Sequence, residues 1–548
     1  MRRLYVKKGF LALIALVLVM GTVLAGCGKT GGSANQVFRM NLSTEPPSLD
    51  PGTAQDQTSF TVLVGLYEGL TRMDSTGTPV AGMATKWDVQ DNGKKYIFHL
   101  RKDAKWTNGD PVTAHDFEYA WKRALDPNLN PPSPYAYQLY YLTNAEEYNS
   151  KKADASKVGV KATDDYTLEV DLKAPTPYFL SLTSFFTYYP LDEKALKGND
   201  KWASEASTMV TNGPFKLAEW KHNDHIKLVK NDAYYDAKSI KFNEIDMAMV
   251  NDPNTELSMY QTDQLDWAGR PDGDIPLDQI PTLKKDPKMN LQIKGIASTY
   301  YYEFNTTQPP YNNVNIRKAL AMGIERQQLV DNVTKGEQIP AFGFVSGGIK
   351  GVGDKTFRES YDDHQYFKED ATAAKALLAK GLQELNMDKL PPVVLLYNTS
   401  EGHKKIAEAI AEMWRKNLGV TVQLKNEEWK VFLKDRTALN YQVARAGWGA
   451  DYNDPMTFID MWTSTSGNND TGFKNADYDA LVKDAYSTSD NKKRMDDMAQ
   501  AEKILVQDNM VVMPIYYYTG IWLQKSYVKN VLIDYAGNMD YTRGSISK

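Results

Sequence analysis

Arg445, Trp448 and Asp451 lie close together in YQVARAGWGADYNDPMTFID, residues 441–460. A cation, a large aromatic and a carboxylate on one connection suit holding a charged ligand more than breaking a bond. The spacing predicts a strand over 441–446, with the small-residue alternation of a segment packed on both faces. Gly447-Trp448-Gly449 should end it, and a helix should follow with Asp454 as N-cap and Pro455 at its first position. Ligands of α/β sheets sit at such carboxyl ends of strands. A plainer alternative stays open: Asp451 paired with a neighbouring Lys, Arg or backbone N–H, and Trp448 in the core.

Little else in the 548 residues suggests catalysis. The six histidines are His99, His115, His222, His225, His364 and His403. No His-Glu-x-x-His, Gly-x-Ser-x-Gly or glycine-rich dinucleotide motif occurs. His222, Asp224 and His225 have no third strong ligand nearby and read as a solvated hairpin tip, so neither metal nor cofactor is expected. Gly28-Lys29-Thr30 imitates the end of a phosphate-binding loop, but Val23 stands where its first glycine belongs. An enzyme is not expected.

The N-terminus reads as an address. Arg2, Arg3, Lys7 and Lys8 precede an uncharged run over 10–25 that falls short of the roughly 20 residues a bilayer span needs. It ends in Leu24-Ala25-Gly26-Cys27, and Cys27 is the single cysteine. This resembles the lipobox of bacterial lipoproteins, which implies cleavage before Cys27 and its lipid modification. A flexible tether follows through residue 36. Losing residues 1–26 removes four positive charges and takes the net charge from −5 to about −9, which disfavours nucleic acid and anionic membrane surface as main partners. With no disulfide available, a chain this long must hold itself by its core, as two or three domains.

Strands are predicted over 37–42, 96–100 and 166–172, and a helix over 55–70. A second helix, capped by Thr113 with Asp116 in its first turn, should run to about Leu125. Residues 128–141, rich in Pro and Tyr, read as an ordered surface loop, and 216–220 with 226–230 as a hairpin. From about Gly295 strand and helix alternate. Strands fall at 300–304, 393–397, 420–424 and 510–518; helices fall at 315–333, 369–385, 403–418 and 491–507. The fold class is thus α/β with a mixed α+β first half. No linker separates the halves, which suits lobes joined by crossing strands.

FHLRKDAKWTNGDPVTAHDF (98–117), TYYYEFNTTQPPYNNVNIRKAL (299–320), LLYNTSEGHKKIA (395–407), EEWKVFL (427–433) and VARAGWGADYNDP (443–455) are the specific stretches. They resemble the extracellular solute-binding proteins of peptide and nickel ABC importers, in their oligopeptide-binding branch, over essentially the whole mature chain. The resemblance implies that Asp451 holds the peptide α-ammonium. It implies that Arg445, His403 and, for longer ligands, Lys335 serve the C-terminal carboxylate. Peptide backbone would pair, as an added strand, with Gly447, Gly449 and the Asn469-Asp470-Thr471 turn. Tyr135, Tyr301, Trp429, Arg436, Trp448 and Tyr518 would line the cleft, with Gln55 or Asp56 near the position of a pocket carboxylate. The cysteine pair of enterobacterial members aligns with Ser298 and Gly449, so that staple is absent.

The resemblance implies a large three-domain, two-lobed fold of the periplasmic-binding-protein kind with a hinge between lobes. Residues 37–67, 195–297 and 520–548 would form one lobe, 68–194 an inserted domain and 298–519 the other lobe. It implies a monomer tethered at Cys27 to the outer face of a cell membrane, as in Gram-positive bacteria. Short peptides would pass from it to two membrane permease subunits driven by cytoplasmic ATPases. The alternatives are a dedicated receptor for a peptide pheromone or murein peptide and, more remotely, a lipoprotein hydrolase or a holdase.

Overall fold

The computed structural model describes residues 36–74, 77–199, 201–361 and 365–547. The leader, Cys27, its tether and His364 lie outside the described residues. In chain order, β1 (Val37–Asn41) leads to helix α1 (Gln57–Leu66), then β2 (Ala84–Gln90), β3 (Lys95–Leu100) and α2 (Ala114–Ala124). Next come β4 (Val160–Asp164), β5 (Thr167–Asp171), β6 (Phe215–Lys221), β7 (His225–Lys230), β8 (Glu244–Ala248) and β9 (Trp267–Gly269). The second half holds β10 (Leu291–Phe304), α3 (Val314–Met322), α4 (Ala371–Glu384), β11 (Val393–Asn398), α5 (Glu401–Leu418) and β12 (Val422–Glu427). It closes with α6 (Trp429–Thr437), β13 (Val443–Gly449), α7 (Ala476–Ser487), α8 (Asn491–Glu502) and β14 (Val512–Gln524).

Three sheets organise the chain. The first has the order β1-β8-β7-β6, with β1 and β8 parallel. The second, β2-β3-β5-β4, is antiparallel throughout. The third runs β9-β14-β10-β13-β11-β12 and is mixed: β11 pairs in parallel with both β12 and β13, and the other pairs are antiparallel. The second half is therefore less uniformly α/β than its strand–helix alternation predicts.

Local chemistry sets the helix ends. Thr113 and Asp116 form a capping box on α2, Ser400 caps α5 through the His403 N–H, and Gly419 ends α5 at φ 69°. That left-handed value carries no steric cost for glycine. Five predictions need correction. The strand predicted over 510–518 continues to Gln524, and the one over 300–304 starts at Leu291, because the two pair with each other along most of their length. The helix predicted over 315–333 breaks after Met322 at Gly323 and restarts at Arg326. The buried Arg326 guanidinium takes the carbonyls of Ala321, Ile324 and Pro514, an interaction one straight helix would not allow. The helix predicted over 55–70 spans only Gln57–Leu66, since Asp56 caps it through Ser59 N–H. Residues 136–139 form a buried turn rather than surface loop, with Tyr135 and Tyr137 packed inside.

The long strands β10 and β14 carry the chain between the two lobes. Near their lower ends Trp522 stacks on Trp267, which Phe38 of β1 meets edge-on. Their upper ends carry Tyr300, Tyr301 and Tyr302, all fully buried. After β14 the chain returns to α1 and the first sheet, where Tyr541 donates to the Thr61 carbonyl at 2.9 Å and Gln36 binds Ile546 on both its backbone groups. Among the described residues no helix is long and apolar enough to cross a membrane.

Candidate functional site

The strand carrying the motif runs two glycines further than its sequence predicts, through Gly449. One edge of β13 pairs with β10 from Val443 to Gly449, while the other pairs with β11 only at Val443 and Ala444. Among the described residues that second edge has no strand beside it from Arg445 onward. Ala450 N–H donates to the Ala297 carbonyl at 2.9 Å, so alternation along the ladder turns the N–H and C=O of Gly447 and Gly449 away from β10, toward the open edge. A Cβ at Gly447 would meet the Tyr518 hydroxyl at 3.1 Å and an Arg445 nitrogen at 3.2 Å. Glycine thus keeps backbone reachable where side chains crowd. Ser298 and Gly449 are register partners, and a Cβ at Gly449 would stand 2.9 Å from the Ser298 hydroxyl.

A cavity of about 200 Å³ lies against this edge, lined by both lobes. Asp451 stands at one end. Its Oδ2 receives Gln138 Nε2 at 2.7 Å and the Thr457 hydroxyl at 3.4 Å. Among the described residues it forms no ion pair, which removes the plainer alternative of a neighbouring Lys or Arg. Burial, then the nearby Asp460 carboxylate, holds its pKa well above the ordinary carboxylate value. Trp448 is half-buried, donates to the Thr457 carbonyl at 2.7 Å and faces Tyr135 at 6.1 Å between rings.

Arg445 stands at the other end. One terminal nitrogen donates to the Tyr518 hydroxyl at 2.6 Å, the other to Asn398 Oδ1 at 3.3 Å, and the guanidinium sits 4.9 Å over Tyr300. Its Nε is buried with no hydrogen-bond partner among the described residues. It too forms no ion pair among the described residues. His403 lines the adjoining cavity, with Nδ1 3.4 Å from the Tyr300 hydroxyl. Burial, then the Arg445 charge, pushes its pKa well below the usual imidazole value, so it is neutral.

Other expected residues divide. Gln55, Tyr301, Trp429, Arg436, Tyr518 and Asp470 line the cavity beside Asp56. Arg436 is already engaged, by the buried Glu303 at 2.6 Å and by Asp470 at 3.2 Å. The Trp429 indole donates to Asp56 across the cleft at 2.8 Å. Asn469 and Thr471 do not line the cavity: the Asn469 amide holds the carbonyls of Trp462, Thr463 and Phe473. Asn468, one residue earlier, lines it instead and donates to the Tyr137 hydroxyl at 3.2 Å. Lys335 is exposed and is not on the lining. Gln138, Asn468 and Arg270 escaped sequence reasoning. Nothing marks Gln138 in the sequence, since only the fold brings it to Asp451.

The helix after the motif begins at Met456, one residue later than predicted, and the Asp454 carboxylate bonds Met456 N–H. It also takes both terminal nitrogens of the buried Arg494, at 2.8 and 2.6 Å. Asp454→Ala should therefore strand a buried guanidinium and lower stability by about 3 kcal/mol, read as a fall in the urea midpoint at constant m-value. Adding Arg494→Leu should recover much of the loss. On the histidine hairpin His222 meets Glu45, and His225 meets Asp224 at 2.9 Å. Among the described residues no cluster of three or more His, Cys, Asp or Glu could hold an ion.

Residues 78–470 match the family described as Bacterial extracellular solute-binding proteins, family 5 Middle. Over 98% of this chain and 99% of the relative, the sequence is 44% identical to the oligopeptide-binding protein OppA of Bacillus subtilis. The structure of Listeria monocytogenes OppA bound to peptide superposes with a TM-score of 0.88 at 34% identity, covering 94% of this chain and 100% of that one. An unliganded open form of the periplasmic murein tripeptide-binding protein MppA gives 0.61 at 32% identity, covering 94% and 98%.

Proposed function

The chain belongs to the bacterial extracellular solute-binding proteins of family 5, which are substrate-binding proteins and not enzymes, and on that premise we propose that it captures short peptides between its lobes. The observation that carries this reading is the open edge of β13 along the cavity, with an unpaired carboxylate at one end and an unpaired guanidinium at the other. A peptide added to that edge pairs its backbone with Gly447 and Gly449, its ammonium with Asp451 and its carboxylate with Arg445. Main-chain bonds and end charges supply affinity without reference to side-chain identity.

The lobes meet over the site through Gln138 and Asp451, Trp429 and Asp56, and the Tyr141 and Tyr452 hydroxyls at 3.1 Å. Higher similarity to the peptide-bound OppA than to the open MppA agrees with a closed arrangement. Closure is a population shift driven by contacts available only when the lobes meet. The protein, tethered through lipid at Cys27, then delivers the peptide to an ABC permease in the same membrane.

Mass spectrometry of the small molecules released from the purified, acid-denatured protein tests the reading. A heterogeneous set of short peptides is the expected result. A single peptide species would redirect the assignment to a dedicated receptor, and a non-peptide solute would overturn it.

A further inference from the structure

Three carboxylates and three guanidiniums line the cavity, and they are not all engaged alike. Six charged residues line it: Asp56, Arg270, Arg436, Arg445, Asp451 and Asp470. Arg436 and Asp470 pair with each other. The Asp56 carboxylate is spent on Ser59 N–H at the positive end of α1 and on the Trp429 indole. Asp451 remains, facing two guanidiniums. A zwitterionic peptide neutralises Asp451 and engages one of them; the other feels the fields of Asp272 and Asp274 but, among the described residues, has no carboxylate on its terminal nitrogens.

Arg270 is held ready for a partner. Its N–H donates to the Ile521 carbonyl at 2.9 Å, and its own carbonyl accepts from the Trp267 indole at 2.6 Å. Nε donates to the Gly537 carbonyl at 3.3 Å. A Cβ at Gly537 would stand 2.9 Å from that nitrogen, and the residue's φ of 88° already favours glycine. Among the described residues neither terminal nitrogen makes a hydrogen bond or ion pair. Arg270 lines both the peptide cavity and the adjoining one that contains His403, as Arg445 does. The two arginines share Tyr518: Arg445 bonds its hydroxyl, and Arg270 lies 5.8 Å from its ring centre. Asp272 and Asp274 face the adjoining cavity, and neither forms an ion pair with Arg270.

We propose that Arg270 is a second carboxylate-binding position of the site, so that the protein selects peptides with an acidic residue near the C-terminus. The proposal rests on the peptide-binding reading and adds a substrate class to it. A planar guanidinium with two free terminal nitrogens fits a carboxylate in a way an amide cannot match. A carboxylate reaches Arg270 either on an acidic side chain or as the terminus of a longer peptide running past Arg445, and the test separates these.

Calorimetry should compare Ala-Ala-Glu with Ala-Ala-Gln, and penta-alanine with its C-terminal amide, on the wild type, Arg270→Met and Arg270→Lys. Ratios within each variant cancel any general loss of affinity or folded fraction. The wild type should prefer Ala-Ala-Glu by about tenfold or more. Arg270→Met should bring the ratio near one, and Arg270→Lys should keep part of it. If only the penta-alanine ratio depends on Arg270, the position is confirmed with the peptide terminus as its ligand. If neither ratio responds, Arg270 has no such role, although peptide binding stands. If no peptide binds the wild type, both readings fall.

Discussion

Asp451→Ala should weaken binding of a free tripeptide such as tri-alanine by roughly 100- to 1,000-fold, with the fold retained. The size follows from what the cavity offers an ammonium. Among the described residues Asp451 is the acid on its wall with neither a cation nor a helix end to satisfy it, and Gln138 and Thr457 fix one oxygen in place. Removing one partner of a buried, hydrogen-bonded charge pair costs about 2–5 kcal/mol, much of it the penalty on the charge left behind. The fold should survive because Asp451 supports only those two side-chain contacts, each replaceable by water in an open cleft. Calorimetry on the variant, with its urea midpoint as control, gives the result. Acetylating the peptide's N-terminus should cost the wild type a similar amount, and the two losses should not add, since both delete the same pair. Unchanged affinity in Asp451→Ala would remove the central assignment.

The legible parts of this molecule are those where local chemistry and tertiary role agree. Thr113 with Asp116 and the hairpin of β6 and β7 are written in short-range pattern, and the structure keeps them. Predictions slip where a distant partner decides. The strand over 441–446 was cut short by the turn propensity of Gly447 and Gly449, yet pairing with Ser298 and Tyr300 on β10 keeps those glycines extended. Pro- and Tyr-rich residues 128–141 have loop composition, but Tyr135 and Tyr137 pack against each other and Tyr135 meets Phe185 and Phe186 at 5.3 Å.

The site divides along the same line. Trp448, Asp451 and Arg445 sit in one continuous motif, so their association needs no knowledge of the fold. Arg270 and Gln138 reach them only because β9 adds to β14 and because the buried turn over 136–139 crosses the cleft. A cation before a proline and a glutamine in a tyrosine-rich run carry no signal by themselves. Asn468 and Asn469 differ by one position along a turn, a register that backbone geometry sets and composition does not.

Binding of tri-alanine should expel a proton, and its affinity should fall as the pH falls. In the unliganded cavity burial, reinforced by Asp460, raises the Asp451 pKa well above the ordinary value. Asp460 is itself pushed up to about 7, by burial first, while the Tyr486 and Tyr452 hydroxyls oppose the rise. An ammonium at Asp451 favours the carboxylate, so the complex holds one proton fewer. Below the free-site pKa the dissociation constant should then rise by up to about tenfold per pH unit. Calorimetry in buffers of different ionisation enthalpy should show more proton release in the wild type than in Asp451→Asn. A carboxylate placed beside the neutral His403 would act oppositely, by drawing a proton onto the imidazole. The difference between wild type and Asp451→Asn isolates the Asp451 contribution. Stability of the unliganded protein runs the opposite way, because folding takes up a proton at Asp451 whereas binding releases one. A carboxyl whose folded pKa is raised contributes fully below its unfolded value and loses that contribution as the pH rises through the folded one. Unliganded wild type should therefore lose stability relative to Asp451→Asn as the pH rises, and saturating peptide should close the gap. Equal proton release by wild type and Asp451→Asn, or identical pH profiles for the two proteins, would mean that Asp451 does not meet the ammonium.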